Sequence, residues 1–375
     1  MKTDKNKPNT GGARAYLVPA GPVYGGTLGL QAGSAGLRFL TFRLLVREGG
    51  KITHDETVAA ATAEGAFAQF SSEIQDQLVR QHVALATPRP PMTLPGQDRA
   101  LTFTRPLIMG ILNVTPDSFS DGGKFLDHGE AVLHARAMIA EGADMIDIGG
   151  ESTRPGATPV WEGEEATRVV PVIEALQADG IPLSIDTRHS FVMDKAVQAG
   201  CHIINDVTAL EYDPESLRVA AETDAPIVLM HSAGDAGNEA DYDDVLLDVY
   251  DYLAERVAVC EAAGIDRSRL ILDPGIGFGK KVVAENVALM NGLALFHTLG
   301  CPLLVGASRK RFIGAISGED VAERRMAGSV AAALHAARLG VQIVRVHDVA
   351  ETVQALKVQQ AFHDASIMDA IKQNG

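Results

Sequence analysis

Asp186, Asn205, Asp273 and Lys310 bring two carboxylates, one amide and one ammonium to positions at or just beyond the ends of short apolar runs. Two acceptors beside an amide, which both donates and accepts, suit a flat heterocycle with amino, ring N–H and carbonyl groups. A second set suits an anion: Arg345 offers a fork of donors, His347 a further donor, and Asn113 a neutral oxygen for a hard cation. Magnesium keeps most of its shell as water and phosphate oxygens, so one amide ligand beside a diphosphate is chemically reasonable. Zinc would need closely placed His, Cys or carboxylate ligands, and His231 with His347 does not supply them.

The elements that must position these groups recur with a regular rhythm. Apolar runs at Leu107 to Leu112, Asp144 to Ile148, Pro182 to Ile185, His202 to Ile204, Pro226 to Met230, Leu270 to Leu272, Pro302 to Val305 and Ile343 to Val346 are candidate strands. Most are separated by helical segments, such as Glu130 to Glu141, Glu164 to Ala178 and Val245 to Ala263. Strands alternating with helices imply right-handed crossovers and a parallel sheet. Eight of them imply a (β/α)8 TIM barrel, whose sites lie at the carboxyl ends of the strands. An open doubly wound sheet is the alternative, but the stretch after Leu112 lacks the glycine-rich phosphate turn that fold needs. Asn113 to Gly123 reads instead as a long polar loop leaving the first barrel strand.

The 375 residues carry a net charge of -15, with 46% apolar and 22% charged residues. That acidity argues against nucleic acid or an anionic membrane as partner. No run approaches a membrane span, and Met1 to Arg14 has no apolar signal core. Cys201, Cys260 and Cys301 form neither a disulfide framework nor a zinc pattern, so a cytoplasmic setting is expected.

Residues 1–14 read as a disordered tail and 15–87 as a small α+β extension of unknown role. Residues 88–105, with Pro88, Pro90, Pro91 and Pro95, read as a linker, and 106–375 as the barrel. Within the extension, Leu37 to Val46 suggests a strand after short apolar stretches broken by glycine. Asp55 to about Leu85 suggests a helix with Phe67, Phe70, Ile74 and Leu78 on one stripe.

Seven stretches, Asn113 to Gly123, Gly149 to Gly156, Ser184 to Arg188, Ile203 to Val207, Asp273 to Lys280, Gly306 to Gly314 and Arg345 to Val349, together resemble the dihydropteroate synthase family of folate biosynthesis. The resemblance covers about residues 105–362, with every motif in family order. It implies a transferase that joins a 7,8-dihydropterin 6-methyl diphosphate to 4-aminobenzoate, releasing diphosphate. By similarity Asp186, Asn205, Met230, Asp273 and Lys310 hold the pterin. Asn113 binds magnesium, and Asn113, Thr153, Arg345 and His347 hold the diphosphate. Phe119, Arg154, Pro155, Phe278 and Ser308 match positions shaping the aminobenzoate pocket. Asp186, Lys310, Arg345 and His347 are the expected catalytic set. The alanine-rich stretch Met326 to Leu339 reads most simply as a packed helix, and its small residues also suit the homodimer contact that the resemblance implies. The loop Thr153 to Glu165 has no obvious insertion, so competition by sulfonamides is expected.

Chemistry and resemblance agree on mechanism. An aryl amine is neutral near pH 7 and nucleophilic, so departure of diphosphate is the hard step, and a dissociative displacement under closed loops is expected. Glu151 and Asp117 read as loop braces, and Arg188 and Arg311 either as phosphate ligands or as solvated charges. Competing readings are a methyltetrahydrofolate-binding methyltransferase, for which the anion-binding set is superfluous, a non-catalytic paralogue, and an N-terminal module that recruits a neighbouring enzyme. Nothing in Leu17 to Leu85 resembles the pyrophosphokinase or aldolase domains sometimes fused to the family.

Overall fold

The computed structural model describes residues 12–25, 27–32, 36–98, 100–115, 128–152, 159–233 and 240–374, with side chains as far as 365. The chain opens with strands β1 (Arg14–Tyr24), β2 (Leu30–Gln31), β3 (Leu37–Glu48) and β4 (Lys51–Ala59), then helices α1 (Ala63–Phe67) and α2 (Ser72–Ala86). β3 is central, pairing antiparallel with the other three.

Three expectations change here. Arg14, assigned to the tail, begins a strand, while residues 1–11 lie outside the described residues. The stretch read as broken pieces is one strand of 11 residues, despite Pro19, Gly21 and Pro22. It tolerates prolines because only one edge joins the ladder. Glutamine side chains from α2 serve its other edge: the Gln77 and Gln81 carbonyls accept from the Ala15 and Leu17 N–H groups at 2.9 and 2.8 Å. Finally, Asp55–Ala59 belongs to β4 and not to a helix: it pairs residue by residue with Thr41 to Leu45 of β3, and its Thr57 and Val58 are β-branched. The apolar stripe itself survives: Phe67, Ile74 and Leu78 are buried in the core under the sheet, with Phe70 packed against them.

The barrel follows: β5 (Leu107–Asn113), β6 (Met145–Gly149), β7 (Leu183–Asp186), β8 (Ile203–Asp206), β9 (Ile227–Met230), β10 (Leu270–Asp273), β11 (Leu304–Val305) and β12 (Ile343–Val346). The strands are parallel and run in chain order around the sheet, with β12 beside β5 and β11 beside β12. A bridge between Leu272 and Leu303 brings the two ends of the sheet together, giving the (β/α)8 architecture. The outer helices are α3 (His128–Glu141), α4 (Glu162–Leu176), α5 (Ser190–Gln198), α6 (Ser216–Glu222), α7 (Val245–Ala262), α8 (Ala284–Asn291), α9 (Leu293–Phe296), α10 (Arg311–Ser317), α11 (Met326–Arg338) and α12 (Val349–Asn374).

The segment read as a linker closes the bottom of the barrel. Met92 pairs with Leu101, and Met92, Leu94, Leu101 and Phe103 are buried against Met109, Met145, Ile203, Val228, Ile271, Leu304 and Ile343. Prolines there stop helix formation but leave the intervening apolar side chains free to plug the floor. Each plugged side chain is worth roughly 1.5–3 kcal/mol of transfer free energy.

Candidate active site

Side chains alternate across a strand, so the floor residues dictate what stands above them. Two residues above Met145 is Asp147, above Ile203 is Asn205, above Val228 is Met230, above Ile271 is Asp273, and above Ile343 is Arg345. An apolar tier therefore carries a mostly polar tier at the carboxyl ends of the strands. Register aligns Asn113 with Gly149, Gly149 with Asp186, and Asp186 with Asn205.

Within that tier one guanidinium ties the groups together. Arg345 donates from Nε to Asp147 Oδ2 at 2.6 Å and from Nη2 to Asp186 Oδ2 at 2.7 Å. Asn205 Nδ2 donates to the same Asp147 oxygen at 3.0 Å. The other oxygens, Asp147 Oδ1 and Asp186 Oδ1, are buried without a hydrogen-bond partner. A buried acceptor left unpaired costs roughly 1–3 kcal/mol, which a ligand bringing N–H donors would recover.

Loops complete a cavity of about 490 Å³ above the tier, whose lining includes Asn113, Phe278, Ser308, Lys310, Arg345 and His347. The loop after β10 is shaped by glycine: Gly275 and Gly277 have φ of +70° and +84°, and a Cβ on Gly275 would lie 1.8 Å from the His231 carbonyl oxygen. Lys280 pins this loop from beneath, donating to the carbonyls of Gly275 and Phe278 at 2.8 and 2.9 Å and lying 2.9 Å from His231 Nδ1. Lys310 donates to the Ile276 carbonyl and sits 4.2 Å over the Phe278 ring. Ser308 Oγ accepts the His347 N–H at 3.2 Å and is 3.0 Å from Nδ1 of that ring. Donation of the hydroxyl hydrogen to Nδ1 would leave the ring proton on Nε2.

Burial pushes the Asp186 carboxyl upward, an effect Arg345 opposes while Asp147, Glu165 and Asp206 add to it. Asp273 is likewise raised by burial, against the pull of Lys310. Burial lowers Lys310 to about 8, with Asp273 restoring part of its charge preference. Lys280 falls to about 7, through burial first and repulsion from Lys310 second. Carboxyls biased toward neutrality beside ammoniums biased the same way mark a site that ligand charge can tune.

Asn113 is half-buried on the cavity wall beside Arg345 and His347. One amide oxygen fits a magnesium ion that takes its remaining ligands from water and phosphate oxygens. Among the described residues Glu151, Glu165 and His189 also lie within metal-binding reach of one another. Those groups are engaged already: Glu151 accepts two hydrogen bonds from Arg188, and His189 Nδ1 is 2.8 Å from Glu165.

Of the residues singled out in the sequence, Asn113, Phe278, Ser308, Lys310, Arg345 and His347 line the cavity. Asp186, Asn205, Met230 and Asp273 are not in that lining: Asp186 is hydrogen-bonded to Arg345, which is in it, Asn205 is bonded to Asp147, and Met230 and Asp273 pair across neighbouring strand ends. Phe119, Thr153, Arg154 and Pro155, like Asp117, lie outside the described residues. Arg188 stacks 4.0 Å over Tyr212 and holds Glu151, whose Oε1 accepts the Val160 N–H. Sequence reading missed Asp147 and Lys280. Asp147 carried a signal, since a carboxylate two positions beyond Met145 faces inward with it.

The model of the pterin-binding enzymes matches residues 109–347. The dihydropteroate synthase of Escherichia coli K12 is 47% identical over 274 residues, 72% of this chain and 96% of that enzyme. A Xanthomonas albilineans dihydropteroate synthase solved with 4-aminobenzoic acid is 51% identical at a TM-score of 0.68, covering 73% of this chain and 98% of that one. The Yersinia pestis dihydropteroate synthase in a sulfonamide drug complex is 46% identical at a TM-score of 0.69, covering 73% and 100%.

Proposed function

The chain belongs to the dihydropteroate synthase family of pterin-binding enzymes, and on that premise we propose how its barrel performs that reaction. It is a transferase of folate biosynthesis: it joins (7,8-dihydropterin-6-yl)methyl diphosphate to 4-aminobenzoate, giving 7,8-dihydropteroate and diphosphate, and it is a target of sulfonamides. The observation that carries the site assignment is the pair of partnerless buried oxygens on Asp147 and Asp186, acceptors for the N–H groups of a flat heterocycle. Asn205, Asp273 and Lys310 complete the pterin's surroundings, with Met230 below the ring.

The C–O bond to diphosphate breaks with its electron pair leaving on the anion, and the aryl amine nitrogen then bonds the pterin methylene and sheds a proton. His347, oriented by Ser308, donates to the departing anion, and the positive guanidinium of Arg345 lies at the same mouth. Asp186 faces the charge that spreads into the pterin as the bond breaks. Magnesium, held by Asn113, supplies charge neutralisation on the leaving group when bound. Phe278 and Ser308 wall the aminobenzoate side; the family resemblance adds Phe119, Arg154 and Pro155 to that wall and Thr153 to the anion's contacts, all four lying outside the described residues.

The protein works in the cytoplasm as a homodimer, with neither nucleic acid nor membrane as partner. Free, buried Cys201, Cys260 and Cys301 support the first point, and exposed Ile316, Val321 and Met326 beside α11 support the second. The charge of -15 weighs against nucleic acid, and no helix among the described residues is long and apolar enough to cross a membrane. The test is chromatographic: 7,8-dihydropteroate forms in step with diphosphate when both substrates and magnesium are present, and sulfonamide competes with 4-aminobenzoate. Diphosphate release without dihydropteroate would sink the proposal.

A further inference from the structure

We propose that Arg47, on β3 of the N-terminal module, is a positioning residue for the aminobenzoate side of the cavity, acting through Asp248, residues 240–244 and the loop after β10. This rests on the reading of the cavity given above. Arg47 is 4% exposed and donates to two carboxylates of α7, Asp248 and Asp251. Arg14 pairs with Asp251 at 2.9 Å, and the Tyr16 hydroxyl donates to it at 2.9 Å. The module therefore grips one face of α7, the helix that follows β9.

Asp248 uses its two oxygens for different purposes. Oδ1 takes the Arg47 guanidinium, while Oδ2 accepts the N–H groups of Asp243 and Asp244 at 2.9 and 3.2 Å. Asp244 is the N-cap of α7, accepting from Leu246 and Leu247. One carboxylate thus ties the module to the turn that ends the loop after β9. Gly50, at the turn between β3 and β4, stands against Asp243.

That turn bears on the next loop. Ala240 N–H donates to the Gly279 carbonyl at 2.9 Å, and the Tyr242 hydroxyl donates to the same oxygen at 3.4 Å. Gly279 lies between Phe278 and Lys280, and all three line the cavity. A Cβ on Gly279 would lie 2.4 Å from the Ala233 carbonyl oxygen, so the two loops touch with no slack. A shift of residues 240–244 is therefore transmitted to Phe278, because packed elements in contact move together.

The test separates docking of the module from placement of the wall. Asp248→Asn keeps the side chain's size but leaves one oxygen for three donors, so either Arg47 or the turn loses its acceptor. Arg47→Met removes the grip altogether, and Arg47→Lys keeps a charge able to reach one carboxylate. In the full-length protein, Arg47→Met and Asp248→Asn raise KM for 4-aminobenzoate about tenfold, with kcat and KM for the pterin diphosphate within about twofold, and Arg47→Lys recovers part of the loss. Amide exchange at 240–244 and 277–281 speeds up in both variants. Lowered Tm with aminobenzoate KM and loop exchange unchanged overturns the proposal. If Arg47→Met does not fold, Asp248→Asn decides. A wild-type protein that makes no dihydropteroate refutes the function instead, and loop exchange still decides the brace.

Discussion

Asp186 and Arg345 meet across the barrel mouth at 2.7 Å, and the same guanidinium reaches Asp147 through Nε at 2.6 Å. One cation is thereby shared between two carboxylates standing on neighbouring strands, each with a second oxygen buried and unsatisfied. The arrangement holds acceptors ready for a ligand at some expense in stability, as functional sites commonly do.

Replacing Asp186 by Asn should expose that expense. Burial raises the Asp186 pKa in the fold, so its ionisation disfavours folding: the cost is absent below the unfolded carboxyl range, grows as pH climbs from there, and levels off above the raised folded value. Asp186→Asn is expected to raise Tm at about pH 8, with little gain at about pH 4, and to lower turnover by about a hundredfold or more. Differential scanning calorimetry at the two pH values checks the sign. An equal shift at both, or a loss at the higher pH, contradicts it.

Ser308 orients His347 and need not touch the pterin to matter. Ser308→Ala removes the partner of Nδ1, frees the ring to change tautomer, and is expected to lower kcat about tenfold with pterin KM nearly unchanged. Ring nitrogen chemical shifts read the tautomer directly. A variant with wild-type kcat would show that the Ser308 contact is incidental.

Gly277 has φ of +84°, and a Cβ there would stand 2.8 Å from Lys310 Cδ. Gly277→Ala is therefore expected to cost roughly 1–3 kcal/mol of stability and to raise the pterin KM by displacing the ammonium. Urea unfolding and steady-state kinetics measure both. Unchanged pterin KM would mean that Lys310 does not depend on this close approach.

Phe103 belongs to the floor, remote from chemistry. Phe103→Ala is expected to destabilise by about 3 kcal/mol, while kcat measured well below Tm stays within about twofold. A large loss of kcat in folded protein would mean that the floor transmits strain to the upper tier.

Much of this was legible in the chain because a barrel repeats one rule. Apolar runs announced the strands, and Asn113, Asp186 and Asp273 sit at strand ends, where each run turns polar as it reaches the mouth. Asp147 was hidden inside a run, visible only once alternation fixed which residues face inward. The floor escaped because prolines around Met92 and Leu94 suggested a linker, and periodicity cannot report a plug made from irregular backbone. β1 escaped because its ladder uses one edge and glutamine side chains serve the other. Arg47 carried no signal: its partners Asp248 and Asp251 lie about two hundred positions away, and only folding introduces them.

The central claim is that one mouth grips a flat ring on one side and an anion on the other, and equilibrium titration tests it most directly. Asp273→Asn and Asn113→Ala are each titrated with a 7,8-dihydropterin lacking diphosphate, and separately with diphosphate plus magnesium. The expected result is a crossed pattern: Asp273→Asn weakens the pterin by about tenfold or more and spares diphosphate, and Asn113→Ala does the reverse. Equal loss of both ligands in both variants, or loss of neither, would contradict it.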